Sequence, residues 1–224
     1  MKVLISYQTL QLPPPYSFAY TLDLNIDHDL VTVKFQQEYL NRDTLTEEEI
    51  LNENFTLDDD HNWTGTLGKV WADYLGGLFE DVSVQEIGND DRLYIHMAIG
   101  NNKPGVVIDT DFWDYELQEL VQAIYEASKR ELKMHLDYIV VDDGQKSITL
   151  DASFEERKAR LHGDQPVSWD DFRKIMSLTY VEDYGDKGSK NPGKDGIWVD
   201  FDGSKEYYII QNKSVQNELL DLIM

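Results

Sequence analysis

The chain has 224 residues, and 41% of them are hydrophobic, which is enough apolar content for a packed core. Its 43 Asp and Glu residues against 20 Lys and Arg give a formal net charge of −23. This charge disfavours binding to nucleic-acid phosphates or anionic lipid and favours a basic partner. The absence of cysteine excludes disulfides, thiolate metal sites and a cysteine nucleophile, and it fits a cytoplasmic protein. No window of uninterrupted apolar residues is long enough to predict a membrane span.

The amino-terminal part of the chain reads as three strands, at 2–10, 16–26 and 29–40. The second has the two-residue alternation of a half-buried strand, and its apolar face carries Phe18, Tyr20, Leu22, Leu24 and Ile26. The connections between these strands are too short for a parallel crossover, so antiparallel pairing is expected.

Helices and further strands come next, in the middle of the chain. Thr46 and Glu49 form a capping-box pattern that predicts a short helix. An apolar stripe over 66–79 predicts a core-facing helix that buries Trp71 and Leu75. Strands are predicted at 82–87 and 92–100, joined as a hairpin through GNDD, and at 105–109. A long helix is expected from Asp111 to Leu136.

The remaining third alternates hairpins with helices. One hairpin turns at Asp143-Gly144 and another around Asp202-Gly203. Short helices are predicted over 153–163, from Ser168 and from Ser214. The resulting fold class is α+β, with antiparallel sheets built from hairpins and several amphipathic helices packed on one face. We expect a single domain over 1–224, with a subdivision near 101–111 as the alternative, and the sequence shows no internal repeat.

The stretch GSKNPGKDG, residues 188–196, nearly matches the phosphate-binding pattern G-x-x-x-x-G-K-[ST]. Asp195 stands at the position of the hydroxyl that ligates magnesium, and Pro192 lacks an N–H donor. The next segment, IWVDF, alternates as a strand does, whereas a phosphate loop must lead into a helix. We therefore predict a polar hairpin loop over 183–196, with no nucleotide and no other cofactor.

GVVIDTDFW carries Asp109 and Asp111 after an apolar strand. Over about seven residues this resembles the first motif of the haloacid dehalogenase superfamily. The resemblance implies a nucleophilic Asp109 and a magnesium site shared with Asp111, although Trp113 departs from the motif. The structural alternative is that Asp111 caps the following helix. His96 in LYIHMAI is a further catalytic candidate, as a general base or as a partly buried structural histidine.

Acidic residues are concentrated between Asp43 and Gly68, where eight acidic side chains occur without any Lys or Arg. Asp58 and Asp60 are candidate metal ligands, because adjacent carboxylates favour a cation. A calcium-loop pattern fails, since Trp63 and Lys69 stand at its glycine and glutamate positions. Asp58, Asp59 and Asp60 are also candidate partner-binding residues, and the alternative for the whole run is a solvated surface.

Two functions remain open from the sequence. The first is a non-enzymatic module that engages a basic protein partner, of the immunity or inhibitor type, through charge steering. The second is a hydrolase that uses carboxylates and a divalent cation, with Asp109, Asp111 and His96 as its candidates. We rank the binding module first, because no catalytic motif keeps its required structural context.

Overall fold

The computed structural model describes residues 1–86, 92–181, 184 and 188–224. Within them the chain forms two antiparallel sheets and five α-helices, which confirms the predicted α+β class. The chain divides into two compact units, Met1–Glu131 and Leu132–Met224. The alternative boundary near 101–111 lies inside the first unit, and the single domain stays a prediction.

The first unit contains a seven-stranded sheet in the order β4-β3-β2-β1-β6-β7-β5. Its strands are β1 (Lys2–Thr9), β2 (Phe18–Ile26), β3 (Val31–Tyr39), β4 (His61–Leu67), β5 (Val84–Gln85), β6 (Leu93–Ile99) and β7 (Gly105–Val107). Its helices are α1 (Glu47–Asn52), α2 (Lys69–Leu78) and α3 (Thr110–Ala127). The three strands predicted first are confirmed, as is the capping box of Thr46 and Glu49 at the start of α1.

Strict alternation in the central strands gives this sheet one apolar face. In β1, for example, Val3, Ile5 and Tyr7 are buried while the residues between them are exposed. Helix α2 packs against β2, β3 and β4, and α3 packs against β4 and β6. Trp71 and Leu75 of α2 are buried, so their predicted core positions are confirmed.

The second unit contains a six-stranded sheet in the order β11-β10-β9-β8-β12-β13. Its strands are β8 (Met134–Val141), β9 (Gln145–Ser153), β10 (Lys158–Leu161), β11 (Gln165–Val167), β12 (Gly196–Asp200) and β13 (Tyr208–Ile209). Its helices are α4 (Trp169–Thr179) and α5 (Lys213–Ile223), which pack against each other. The predicted hairpin at Asp143-Gly144 and the helix that begins after Ser168 are confirmed.

The two units share one topology. Each has a four-stranded antiparallel meander, then a helix, then two strands that extend the sheet beside the first strand of the meander, then a final helix. The first unit adds the short edge strand β5 to this plan. The sequence shows no repeat, so the shared topology is visible only in the structure. The largest difference is the connection between the third and fourth strands, which spans residues 40–60 in the first unit and residues 162–164 in the second.

Three predicted elements are wrong. Ser153 is the last residue of β9, and the residues after it form a turn, with Arg157 at a positive φ of 46°, and then strand β10, because β10 pairs with β9. The long helix ends at Ala127, just before Lys129 with a positive φ of 62°, and 134–136 already belong to β8. Strand β5 pairs with β7 rather than with β6. The predicted GNDD turn lies outside the described residues.

Candidate protein-binding surface

The connection from β3 to β4, residues 40–60, is called the acidic segment here. It contains all eight acidic residues of the run that begins at Asp43. A 3₁₀ turn over Arg42–Thr44 leads into α1, whose capping box fixes its first turn. The segment is therefore an ordered structure rather than an open loop.

Arg42 is the centre of this structure. Its guanidinium lies over the rings of Tyr39 and Phe55, at 4.0 and 4.7 Å from their centroids. Its Nη1 is 2.7 Å from the Asp59 carboxylate, and both side chains are largely buried. The same nitrogen donates to the Thr56 carbonyl at 3.0 Å. One cation thus ties both ends of the acidic segment together.

Most of the remaining carboxylates of the segment point to solvent. Asp43, Glu47, Glu48 and Asp58 are exposed. Within the described residues their carboxylates make no hydrogen bond or ion pair. These four charges are not committed to the fold, and they remain available to a cationic partner.

Exposed apolar side chains accompany these charges. Leu51 and Leu57, both in the acidic segment, are 53% and 56% exposed. The ring of Tyr16, in the loop from β1 to β2, contacts the Phe55 ring edge-on at 5.4 Å, and its hydroxyl donates to Glu53. Leu10 and Leu12 of the same loop are also exposed. Protein interfaces likewise combine apolar side chains with a polar, solvent-accessible rim.

The three predicted partner-binding residues have different roles. Asp58 is exposed, as the prediction requires. Asp60 accepts the Tyr39 backbone N–H at 2.8 Å. Asp59 accepts from Thr56 and Arg42; burial alone would raise its pKa, but these hydrogen bonds hold the pKa below its usual value. Asp59 is therefore a structural carboxylate.

A metal site at Asp58 and Asp60 gains no geometric support. In the part of the chain that the structure describes, no group of three or more His, Cys, Asp or Glu side chains is placed to hold a metal ion. The Asp60 carboxylate is already used by the Tyr39 backbone.

The candidate catalytic residues occupy structural positions. Asp109 caps α3 by accepting the Phe112 N–H at 3.2 Å. The structural alternative, in which Asp111 is the cap, is therefore wrong. Asp111 forms an exposed ion pair with Arg92 at 2.6 Å. The strand before them, β7, is antiparallel to both of its neighbours, whereas the haloacid dehalogenase fold has a parallel sheet. The short resemblance is therefore local.

His96 lies on the face of the first sheet opposite to its apolar side. Its ring stacks on Tyr94 with centroids 6.1 Å apart. Its cross-strand neighbours are Ser6 on β1 and Val106 on β7, so neither Asp109 nor Asp111 stands beside it in the sheet register.

The near-match to a phosphate loop also lies in a different context from a nucleotide site. The residue after Asp195 begins β12, so the predicted strand is confirmed and the loop leads into a strand rather than a helix. The loop folds against Trp198, whose indole N–H donates to the Asp195 carbonyl at 3.3 Å. Residues 182, 183 and 185–187 of this region lie outside the described residues. The absence of nucleotide binding stays a prediction.

Sequence reasoning missed two features of the candidate surface. The structural role of Arg42 depends on rings from two separate places in the chain, Tyr39 and Phe55, and no spacing rule joins them. The exposed leucines also lack a signal of their own, because single apolar residues in a polar stretch are common on surfaces.

Comparison of the chain with known protein families, curated proteins and solved structures gives no match. Among the helices of the described residues, none combines the length and apolar composition needed to cross a bilayer. The function is therefore inferred from the residues and their geometry.

Proposed function

We propose that this protein is a non-enzymatic binding module that engages a basic protein partner through the acidic segment, in the manner of an immunity or inhibitor protein. The observation that carries the proposal is the group of four uncommitted carboxylates, Asp43, Glu47, Glu48 and Asp58, held on an ordered scaffold beside exposed leucines. A preorganised surface loses little conformational entropy on binding.

The shared topology of the two units supports the same proposal. The second unit makes the equivalent connection with residues 162–164 alone. Residues 40–60 are thus an elaboration that this topology does not need for closure. Long loops on a rigid scaffold are disproportionately functional.

The net charge of −23 supports a basic partner and opposes nucleic acid. We place this interaction in the cytoplasm, because a chain without cysteine fits a reducing compartment. The hydrolase alternative is less well supported, since the Asp109 carboxylate is occupied as a helix cap.

The test compares two triple variants with equal charge loss. The first, Asp43→Asn/Glu48→Gln/Asp58→Asn, removes three of the four uncommitted charges of the acidic segment and leaves Arg42 and Asp59 unchanged. The matched control, Asp27→Asn/Glu80→Gln/Asp164→Asn, neutralises exposed carboxylates elsewhere. Partners are captured from a native lysate at low salt, and association is then measured by stopped-flow kinetics.

We expect the segment variant to slow association about tenfold at low salt and the control variant to change it less than twofold. Surface charges act mainly on the encounter rate, and the effect should shrink as the Debye length falls to about 8 Å at physiological salt. Equal effects of both variants would show that the association rate depends on the net charge of the protein and not on the acidic segment. An association rate that ignores salt and both variants would refute the proposal.

A further inference from the structure

A groove of about 690 Å³ lies in the second unit, between α5 and the end of the sheet that carries the turn from β8 to β9. We call it the α5 groove. Cavities that bind organic ligands typically measure roughly 300–1,000 Å³, so this groove is large enough for one or two side chains of a ligand.

The floor of the α5 groove is apolar and held in place. Val140 and Ile197 contribute buried side chains from β8 and β12, Leu220 contributes an apolar side chain from α5, and the exposed Met224, which follows α5, lies at the edge of the groove. Gln216, also buried, donates to the Ile210 carbonyl and so fixes this face of the helix.

The rim of the α5 groove is acidic. Asp142 and Asp143 come from the β8–β9 turn, Asp195 precedes β12, and Asp221 lies on α5. All four are exposed, and their carboxylates make no hydrogen bond or ion pair in the described part of the chain. The rim also carries two lysines, of which Lys213 donates to Gln216 at 3.0 Å. Four carboxylates against two ammonium groups leave an excess of negative charge over an apolar floor.

We propose that the α5 groove binds a cationic peptide segment in which an arginine neighbours an aliphatic side chain. The aliphatic side chain lies on Leu220 and Met224, while the guanidinium reaches the carboxylates of the rim. An anionic ligand is opposed by the same carboxylates. A bare metal ion fits less well, because no ligating cluster of three side chains occurs in the described residues. The α5 groove lies in a different unit from the acidic segment, so this site goes beyond the proposed function.

The test titrates the 224-residue protein with the acetylated and amidated peptide Arg-Leu-Arg-Leu and monitors backbone amides by NMR. We expect saturable shifts at Gly144, Gly196 and Leu220. The peptide Gln-Leu-Gln-Leu lacks the cations and Arg-Gly-Arg-Gly lacks the aliphatic groups, so each should bind at least fivefold more weakly.

Substitutions in the groove test whether peptide binding depends on the groove residues or only on the net charge of the protein. Asp142→Asn/Asp143→Asn/Asp221→Asn should weaken binding of Arg-Leu-Arg-Leu about tenfold, since an exposed ion pair contributes up to about fivefold in affinity. Asn is well tolerated in turns, so the fold should persist. Met224→Ser, at an exposed position, should weaken binding of Arg-Leu-Arg-Leu and leave Arg-Gly-Arg-Gly unchanged.

The control is the Asp43→Asn/Glu48→Gln/Asp58→Asn variant, which loses the same charge in the other unit. It should bind the peptide as the unsubstituted protein does. An equal loss of affinity in this control, shifts scattered over the whole surface, or equal affinity for Arg-Gly-Arg-Gly would overturn the proposal. The groove variants leave the acidic segment unchanged. Failure of the groove proposal can therefore be told apart from failure of the proposed function.

Discussion

Substitution of Arg42 by alanine should release the acidic segment while the sheet beneath it stays folded. The change removes the charged hydrogen bond to Asp59 at 2.7 Å and two ring contacts at 4.0 and 4.7 Å. A hydrogen bond to a charged group contributes about 2 kcal/mol, and the two ring contacts together add about 1 kcal/mol. Solvent screening is limited, because the Arg42 and Asp59 side chains are only 13% and 14% exposed. Together these contributions give an expected loss of about 3 kcal/mol.

The loss should be local, because the central strands are held by their own ladders and by α2 and α3. The reporter is the Thr56 backbone N–H, which donates to Asp59 at 2.9 Å. A loss of about 3 kcal/mol in local stability corresponds to about a 100-fold fall in hydrogen-exchange protection at Thr56. Amides of the central strands should keep their protection.

The control is Lys69→Ala, which removes an exposed ion pair to Asp73 whose side chains are 61% and 62% exposed. Exposed pairs contribute little, so no amide should change more than about threefold. If Thr56 protection in Arg42→Ala also stays within about threefold, Arg42 does not organise the segment and the reasoning fails.

Three further outcomes are expected. Trp71→Ala, which empties a fully buried site in α2, should lower the free energy of urea unfolding by about 3–5 kcal/mol, and a loss below about 1 kcal/mol would contradict core packing. Asp200→Ala should cost about 2 kcal/mol, because the buried carboxylate accepts the N–H groups of Asp202, Gly203 and Lys205, whereas an unchanged urea midpoint would show that water replaces it. The hydrogen bond from His135 to Asp151 raises the pKa of His135, so its stabilisation is complete below the unfolded value near 6.5 and is lost as pH rises through the folded pKa. An NMR titration should show a lower His135 pKa in Asp151→Asn. Because the pair is exposed, its contribution to the free energy of unfolding should stay below about 1 kcal/mol.

The sequence predicts an element well where one local pattern decides it. The alternation from Phe18 to Ile26 and the stripe around Trp71 and Leu75 needed no long-range information. The failure over 153–163 shows the limit of this reasoning. The Glu156 N–H does bond to Ser153 Oγ at 3.2 Å, as a helix cap requires, yet the pairing of β10 with β9 decides the structure. A cap identifies a turn, and tertiary pairing decides whether a helix or a strand comes after it.

The candidate surface was predictable only in part. Charge counting located the acidic segment and Asp58, because a carboxylate without a local cation must face solvent. It could not separate Asp59 from its neighbours, since the Arg42 that binds it lies 17 positions away and is oriented by rings from two other places. The α5 groove was missed for the same reason: Asp142, Asp195 and Asp221 converge only after the second sheet has formed.

Because the two units share one topology, a connection from one unit can be exchanged for the equivalent connection of the other. Residues 162–164 occupy the place in the second unit that residues 40–60 occupy in the first. Trimming the long connection to a short turn would give a shorter first unit, and grafting residues 40–60 into the second would give a chain with two copies of the proposed binding segment. A divalent molecule of this kind would gain avidity from linkage alone, without any new contact.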